Sequence, residues 1–198
     1  MSAFLLPSII AQLRLDHPGI ELELVVSNKT SDLKRREAEI AVRHYRPQGE
    51  QLIGKLVQER CVAYLYATPG YLERIGRPST LEELAERAQV IGFDDTVAMR
   101  EGLASLGLKL PNESLPVRTE NHVVQWSLCK QGVGLCAMMQ EVGEEEPLVE
   151  RVLPDSLSGL VYPNWLSVHR ELRTSRRIRT VFDRLGAQVA RSLRPVAA

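Results

Sequence analysis

SDLKRREAEIAVRHY, residues 31–45, passes abruptly from a dense run of charges into an apolar triplet and then returns to an arginine. The charged part predicts one short helical turn, in which residues 34–37 face water, and residues 40–42 predict a buried strand. A helix that leads into a buried strand is half of an α/β unit, and ligands of open α/β sheets bind beyond the carboxyl ends of the strands. Arg43 follows the strand at that end, so it is a candidate ligand-binding residue, with a surface position as the alternative.

Helical and extended patterns alternate on both sides of this stretch. The helical patterns cover residues 4–16, 80–88, 121–131 and 174–193. The extended patterns cover residues 20–26, 51–57, 59–68, 89–93, 115–119, 132–139, 147–153 and 159–172, and the first of them alternates as a half-buried strand does. Residues 94–114 look irregular. This order of segments predicts an α/β protein with two lobes.

Composition excludes several classes of protein. The chain has 198 residues, of which 44% are hydrophobic and 25% charged, as in ordinary globular domains. Lys+Arg and Asp+Glu both number 25, which argues against a free-standing nucleic-acid-binding domain because such a domain needs a basic surface. No apolar run approaches the roughly 18 residues of a membrane span, and the N-terminus lacks the pattern of a secretory signal. We therefore expect a cytoplasmic protein that does not contact a membrane.

Three cysteines, Cys61, Cys129 and Cys136, form no C-x-x-C pair. An odd number without such a pair argues against a disulfide framework and against a zinc site. The expectation is that they are reduced, buried thiols, and a redox-sensing pair of Cys129 and Cys136 is the less favoured alternative. The sequence predicts no metal, no other cofactor and no catalytic residue.

Four stretches, in register over nearly the whole chain, resemble the effector-binding domain of LysR-type transcriptional regulators. They are LLPSIIAQLRLDHPGIELELVVSNKTSDLKRREAEIAVR at 5–43, YATPGYLERIGRPSTLEEL at 66–84, KQGVGLCAMM at 130–139 and VHRELRTSRRIRTVFDRL at 168–185. The resemblance implies a two-lobed α/β fold similar to type 2 periplasmic solute-binding proteins, with two crossing strands between the lobes. Lobe one would then hold residues 1–67 and 172–198 and lobe two residues 68–171, with crossings near 67–71 and 168–172.

The chain departs from the family pattern in three places. The family domain opens with a strand and a turn before the helix that carries LLP, so a central strand of lobe one is expected to be missing here. The winged helix-turn-helix and its linker helix are also absent from the sequence, and DNA would be contacted only through them. LCAMM at 135–139 stands where the family usually has a Leu-Pro pair.

Effector sites of this family are lined by the polar ends of the lobe-one strands and by facing loops of lobe two. In this sequence the matching positions, including the loop 94–98, supply the candidate ligand-binding residues Ser27, Asn28, Thr30, Arg43, Asp94, Asn121 and His122. Hydroxyls, amides and helix N–H groups at strand-helix junctions can hold a carboxylate or a similar anion. His122 is expected to face solvent.

Each candidate also has a purely structural interpretation. Ser27, Asn28 and Thr30 are residue types favoured in turns and helix caps whatever the function. Arg43 suits bidentate recognition of a carboxylate, but it could equally lie on the lobe surface or pair with a nearby acid. Asn121 has the position of an N-cap, a role that is compatible with a ligand contact in a cleft.

The resemblance implies an effector-sensing domain without catalytic activity. It would bind a small organic, anionic molecule between the lobes and relay binding to DNA-binding domains as a homodimer or tetramer, with the LPSIIAQL helix against the second lobe of the partner copy. One alternative is a free solute-binding protein of a transporter, which would require export. The other is an enzyme that acts on a small acid on the same fold, which would require clustered groups with perturbed pKa values.

Overall fold

The structure, a computed structural model, describes residues 2–26, 38–93 and 96–193. The predicted turn at 34–37 lies outside the described residues, as do the candidates Ser27, Asn28, Thr30 and Asp94. In chain order the elements are α1 (Leu6–Asp16), β1 (Ile40–Arg43), β2 (Leu52–Ala67), α2 (Pro69–Arg74), α3 (Leu81–Arg87), β3 (Gly92–Phe93), α4 (Thr96–Ser105), β4 (Arg118–Thr119), α5 (His122–Lys130), β5 (Cys136–Met139), α6 (Gln140–Gly143), β6 (Glu150–Arg151), β7 (Leu160–His169) and α7 (Arg176–Ser192).

The chain divides into two compact units. Unit 1 comprises Met1–Cys61 and Tyr162–Ala198, and unit 2 is the inserted segment Val62–Val161. The boundaries between them fall inside β2 and inside β7, so both connections are extended strands. The lobe boundaries expected from the sequence, near residues 67–71 and 168–172, stay a prediction.

Unit 1 joins two terminal helices to a small antiparallel sheet. β1 pairs with β7 from Ile40 opposite Val168 to Arg43 opposite Trp165, and β7 lies between β1 and β2. α7 contacts α1, as the resemblance requires of a C-terminal segment that returns to the opening third of the chain. Residues at helical spacing make this contact possible, because they give α7 one apolar face, formed by the buried side chains of Ile178, Val181, Phe182, Leu185 and Val189.

Unit 2 combines antiparallel and parallel strand pairs. The second part of β2 pairs antiparallel with β5, from Ala63 opposite Met139 to Tyr66 opposite Cys136, and also with β6. β3 and β4 run parallel, and Val90 forms a parallel bridge with Leu135. Buried aliphatic side chains fill the space between these strands and the helices, among them Leu65, Leu84, Leu103, Leu108 and Leu135.

Three predicted elements differ from the structure. Residues 20–26 form no strand, because an extended segment needs a ladder partner and none of the described strands pairs with it. The two strands expected at 51–57 and 59–68 are one 16-residue strand, β2. The first part of β2 is largely solvent-accessible, so it tolerates charged residues that the sequence analysis took for a break between two strands. The supposedly irregular segment contains α4, whose Leu103 is 1% exposed.

The other predicted helices and strands among the described residues match within a few residues, whereas the short helices α2 and α6 were not predicted. Asn121 is the N-cap residue of α5 and Arg43 ends β1, as the sequence predicts. Among the described residues, no helix combines the length and the apolar character needed to cross a membrane.

Candidate functional site

Two parallel strands of unit 2 each lead directly toward a helix. β3 ends at Phe93 and α4 begins at Thr96, while β4 ends at Thr119 and α5 begins at His122. Phe93 and Thr119 are paired neighbours at the carboxyl ends of these strands, and α5 contacts both strands. The carboxyl ends of parallel strands, with helix N-termini beside them, are where open α/β sheets bind ligands.

Asn121 caps α5. Its Oδ1 accepts hydrogen bonds from the backbone N–H groups of Val123 at 2.9 Å and Val124 at 3.2 Å, and its own N–H donates to Thr119 Oγ1 at 3.1 Å. These bonds satisfy helix donors that would otherwise lack an intrahelical acceptor. The side chain is exposed, and its Nδ2 group supplies the two N–H donors that could serve a ligand.

His122 is the next residue, and the expectation that it faces solvent is wrong. Its side chain is half-buried, and its ring centroid lies 5.1 Å from that of Phe93 with a tilt of 57°. Its Nδ1 lies 2.7 Å from Gln125 Oε1. Burial lowers the pKa of His122 because it disfavours the charged imidazolium.

Gln125 was not a predicted site residue, although it holds His122 in place. It is 1% exposed, and its Nε2 donates to the Ile91 carbonyl at 2.6 Å. A glutamine flanked by Val123, Val124 and Trp126 is the signal that could have revealed it, because a polar residue on a largely apolar helix must find buried hydrogen-bond partners.

A second group of polar residues lies in unit 1, at the end of β1. Arg43 is half-buried opposite Trp165. The adjacent His44 places Nδ1 2.8 Å from Asn164 Oδ1, and its ring meets Tyr162 edge-on with 4.7 Å between centroids. Neither His44 nor Asn164 was predicted to contribute to a site.

Asn164 anchors this second group from inside β7. It is 0% exposed, and its Nδ2 donates to Cys61 Sγ at 2.8 Å. The sequence signal for it is an amide at an inward position of β7, two residues from the buried Leu166. A buried amide of this kind requires partners from other strands, here β2 and the residue after β1.

The structure therefore divides the predicted site residues between the two units. Asn121 and His122 lie together in unit 2, and Arg43 lies in unit 1. Ser27, Asn28, Thr30 and Asp94 remain predictions, because they fall outside the described residues.

The cysteine thiols have the environment of core residues. All three are buried thiols. Burial raises the pKa of Cys129 to about 12 and that of Cys136 well above its ordinary value. The Cys129 thiol donates to the Tyr66 carbonyl at 3.3 Å. Thiols that stay protonated are poor nucleophiles, so the geometry favours the structural interpretation over a redox pair.

In the part of the chain that the structure describes, no three His, Cys, Asp or Glu side chains come together as metal ligands would.

An open pocket elsewhere in unit 2 offers a rival location. Its lining includes Leu72, Arg77, Glu150 and Arg151 and none of the predicted site residues. Arg77 donates to Glu150 at 2.8 Å and lies 3.6 Å from Glu73. The charge of Arg77 is balanced by two acids, whereas Arg151, which also lines the pocket, lies 3.3 Å from the centroid of the Tyr64 ring.

The family model described as the LysR substrate binding domain matches residues 1–190 of this chain. The fold of this chain is similar to that of the regulatory domain of CrgA, a LysR-type transcriptional regulator from Neisseria meningitidis. The TM-score is 0.80 and the sequence identity 23%, and the match covers 93% of this chain and 91% of the CrgA domain. A similar match is the C-terminal domains of a LysR family protein from Agrobacterium tumefaciens str. C58, with a TM-score of 0.74 and 15% identity over 95% and 92% of the two chains.

The match to CrgA as a whole has a TM-score of 0.79 and 22% identity, and it covers 96% of this chain but 65% of CrgA. The chain thus spans about two thirds of that full-length regulator. At these identities the structural matches show the fold, which is the periplasmic-binding-protein-like α/β fold of such domains. No curated protein sequence gives a match.

Proposed function

This chain belongs to the LysR substrate binding domain family, the effector-sensing part of LysR-type transcriptional regulators, and we propose from that premise where its effector binds. The effector is a small organic anion that lies in the cleft between two lobes, residues 1–67 with 172–198 and residues 68–171. The observation that carries the proposal is the pair Asn121 and His122 at the start of α5, beside the carboxyl ends of β3 and β4.

The proposed contacts follow from the chemistry of each side chain. Arg43 binds the effector carboxylate through its guanidinium, which presents paired N–H donors to two oxygens. Asn121 donates from Nδ2, because its Oδ1 is engaged with the helix. His122 faces the remaining polar group of the effector. Ser27, Asn28, Thr30 and Asp94 complete the proposed lining.

Binding acts through a shift between two arrangements of the lobes. An effector can move that equilibrium only by the difference in its affinity for the two arrangements. We propose that a homodimer or tetramer in the cytoplasm passes this shift to winged helix-turn-helix domains, which alone contact DNA. The domain itself catalyses no reaction in this proposal.

Self-association is supported by exposed apolar side chains near the N-terminus. Leu15 of α1 is 77% exposed, and Leu24, Val25 and Val26 are 55%, 56% and 75% exposed. Large exposed apolar side chains are candidates for an interaction surface. We propose that the second lobe of a partner copy covers α1, and sedimentation of the Leu15→Lys variant tests this, since it should dissociate into monomers.

A thermal-shift screen with small carboxylates and aromatic acids tests the effector site. A ligand at about 100 times its Kd stabilises by about 2.7 kcal/mol, which in a domain of this size raises Tm by about 5–10 °C. Removal of a charge-assisted hydrogen bond costs about 1.5–3 kcal/mol. Arg43→Ala should therefore lower the affinity for the best acid by about 10- to 150-fold.

The matched control is Arg177→Ala, which removes an exposed arginine from α7 in the same unit. It should leave the affinity unchanged. If both variants lowered the affinity for the acid equally, Arg43 would act only through its positive charge. If Arg43→Ala left the affinity unchanged, Arg43 would not belong to the site.

A further inference from the structure

The open pocket of unit 2 lies between the end of α2 and strand β6, within a single unit of the chain. Its volume is about 480 Å³, within the range of about 300–1,000 Å³ that is typical of small-molecule sites. Apolar side chains form the larger part of its lining, among them Leu72, Val152 and Leu153. A pocket of this size and character can hold a small molecule with an aliphatic part.

Three charged residues line the same pocket, namely Arg77, Glu150 and Arg151. The Arg77 guanidinium donates to Glu150 at 2.8 Å, and the two side chains are 52% and 40% exposed. An ion pair as exposed as this one contributes little to stability. A ligand that carries both charges can therefore replace the pair at little cost.

Arg151 has a donor that the folded chain does not use. Its guanidinium lies over the Tyr64 ring, 3.3 Å from the ring centroid, which occupies one face of the guanidinium and leaves the N–H groups at its edge. The Nε atom is buried and has no hydrogen-bond partner among the described residues. Because buried N–H groups are nearly always satisfied, this donor calls for an acceptor from outside the chain.

The backbone of both pocket walls has an uncommon conformation. Arg77 has a φ of 42° and Leu153 a φ of 45°, and no other non-glycine residue in the described ranges has a positive φ. Hydrogen bonds hold both turns: the Arg77 N–H donates to the Leu72 carbonyl at 2.7 Å, and the Leu153 carbonyl accepts from the Leu157 N–H at 2.8 Å. Strained residues of this kind cluster at ligand-binding sites, and here both of them line one pocket.

We propose that this pocket is a second small-molecule site of the domain and that its ligand is a zwitterion with an aliphatic side chain, an amino acid of the leucine type. The ligand carboxylate accepts from Arg151 and Arg77, its ammonium group donates to Glu150, and its side chain packs on the aliphatic wall. A simple carboxylate fits less well, because Glu150 repels it. None of the lining residues belongs to the proposed effector site, so this inference does not rest on the proposed function.

An NMR titration of the ¹⁵N-labelled 198-residue chain with three related ligands tests which charges the pocket recognises. L-leucine carries both charges, 4-methylpentanoate lacks the ammonium group, and 3-methylbutylamine lacks the carboxylate. We expect leucine to shift the backbone amide resonances of Val152 and Leu153 and the Nε–H resonance of Arg151. Because the charged contacts are partly exposed, each of the other two ligands should need about two- to fivefold higher concentration for the same shift.

Two outcomes of this titration would overturn the proposal. One is the absence of these shifts at about 10 mM leucine, well above a Kd of about 1 mM. The other is an equal response to leucine and 4-methylpentanoate, which would mean that the ammonium group is not recognised.

Two conservative variants test the role of Glu150. Glu150→Gln should lower the affinity for leucine by about two- to fivefold and raise the affinity for 4-methylpentanoate, because it removes the partner of the ammonium group and the repulsion of the carboxylate. Glu73→Gln is the matched control, since Glu73 lies 3.6 Å from Arg77 but does not line the pocket. It should leave both affinities unchanged. An unchanged leucine affinity in Glu150→Gln, or the same change in both variants, would contradict the assignment.

The second site and the effector site can fail separately. Leucine-induced shifts at Asn121 and His122, with none at Val152 and Leu153, would overturn the second site. A failed screen with acids would count against the proposed effector site and would leave the leucine titration intact.

Discussion

Asn121 combines a structural role and a proposed binding role in one amide, and substitutions can separate the two. Oδ1 accepts from Val123 and Val124, whereas Nδ2 is assigned to the effector. Asn121→Asp keeps the accepting oxygen and replaces the donor group by a second acceptor. Asn121→Ala removes both. The two variants should therefore differ in stability, and both should lose affinity for the effector.

The expected magnitudes follow from these contacts. Loss of an N-cap side chain costs about 0.5–2 kcal/mol, and in a domain of this size each 1 kcal/mol lowers Tm by about 2–4 °C. Asn121→Ala should thus lower Tm by about 1–8 °C. Asn121→Asp should match or exceed the parent, because a carboxylate at a helix N-terminus gains about 0.3–1 kcal/mol from the helix dipole.

Differential scanning fluorimetry with and without the best acid from the screen measures both quantities. Asn121→Asp should keep its Tm without ligand and lose most of the ligand-induced increase, since its carboxylate repels an anion. If Asn121→Asp were stabilised by the acid as strongly as the parent chain, Asn121 would be a helix cap and nothing more.

Three further outcomes follow from the described contacts. Asn164→Leu leaves the His44 Nδ1 proton without its amide acceptor, and the loss of buried hydrogen bonds should cost about 1–3 kcal/mol, measured by urea unfolding; an unchanged midpoint would contradict the role of Asn164. Burial lowers the pKa of His122 in the folded chain, so on acidification the unfolded chain binds this proton first. The free energy of unfolding should therefore fall as the pH drops below 6.5, the ordinary pKa of histidine. His122→Gln should reduce that fall, and an identical pH profile would refute it. Cys61, Cys129 and Cys136 should not react with a thiol reagent until urea unfolds the chain, because they are buried; rapid labelling of the native protein would contradict this.

Local sequence patterns predicted the elements whose stability is largely local. The spacing of Ile178, Val181 and Phe182 is enough to define α7, because one apolar face specifies an amphipathic helix. Asn121 was identified as a cap for the same reason, since capping depends on residues within one turn. The end of β1 at Arg43 followed from a change from apolar to charged residues.

Elements that depend on distant partners were not predicted. Residues 20–26 alternate as a strand does, yet a strand exists only where another chain segment supplies hydrogen bonds. Gln125 meets a carbonyl 34 residues away, and Asn164 meets His44 across 120 residues. No sequence window contains both members of such a pair, so the two buried amides that orient histidines became visible only in the folded chain.

The most direct test of the central claim is an amide and arginine side-chain NMR titration of the isotope-labelled chain with the best acid from the screen. The account predicts that the largest shifts occur at Arg43, Asn121 and His122. Shifts confined to the pocket around Arg77 and Glu150, with none at those three residues, would contradict it.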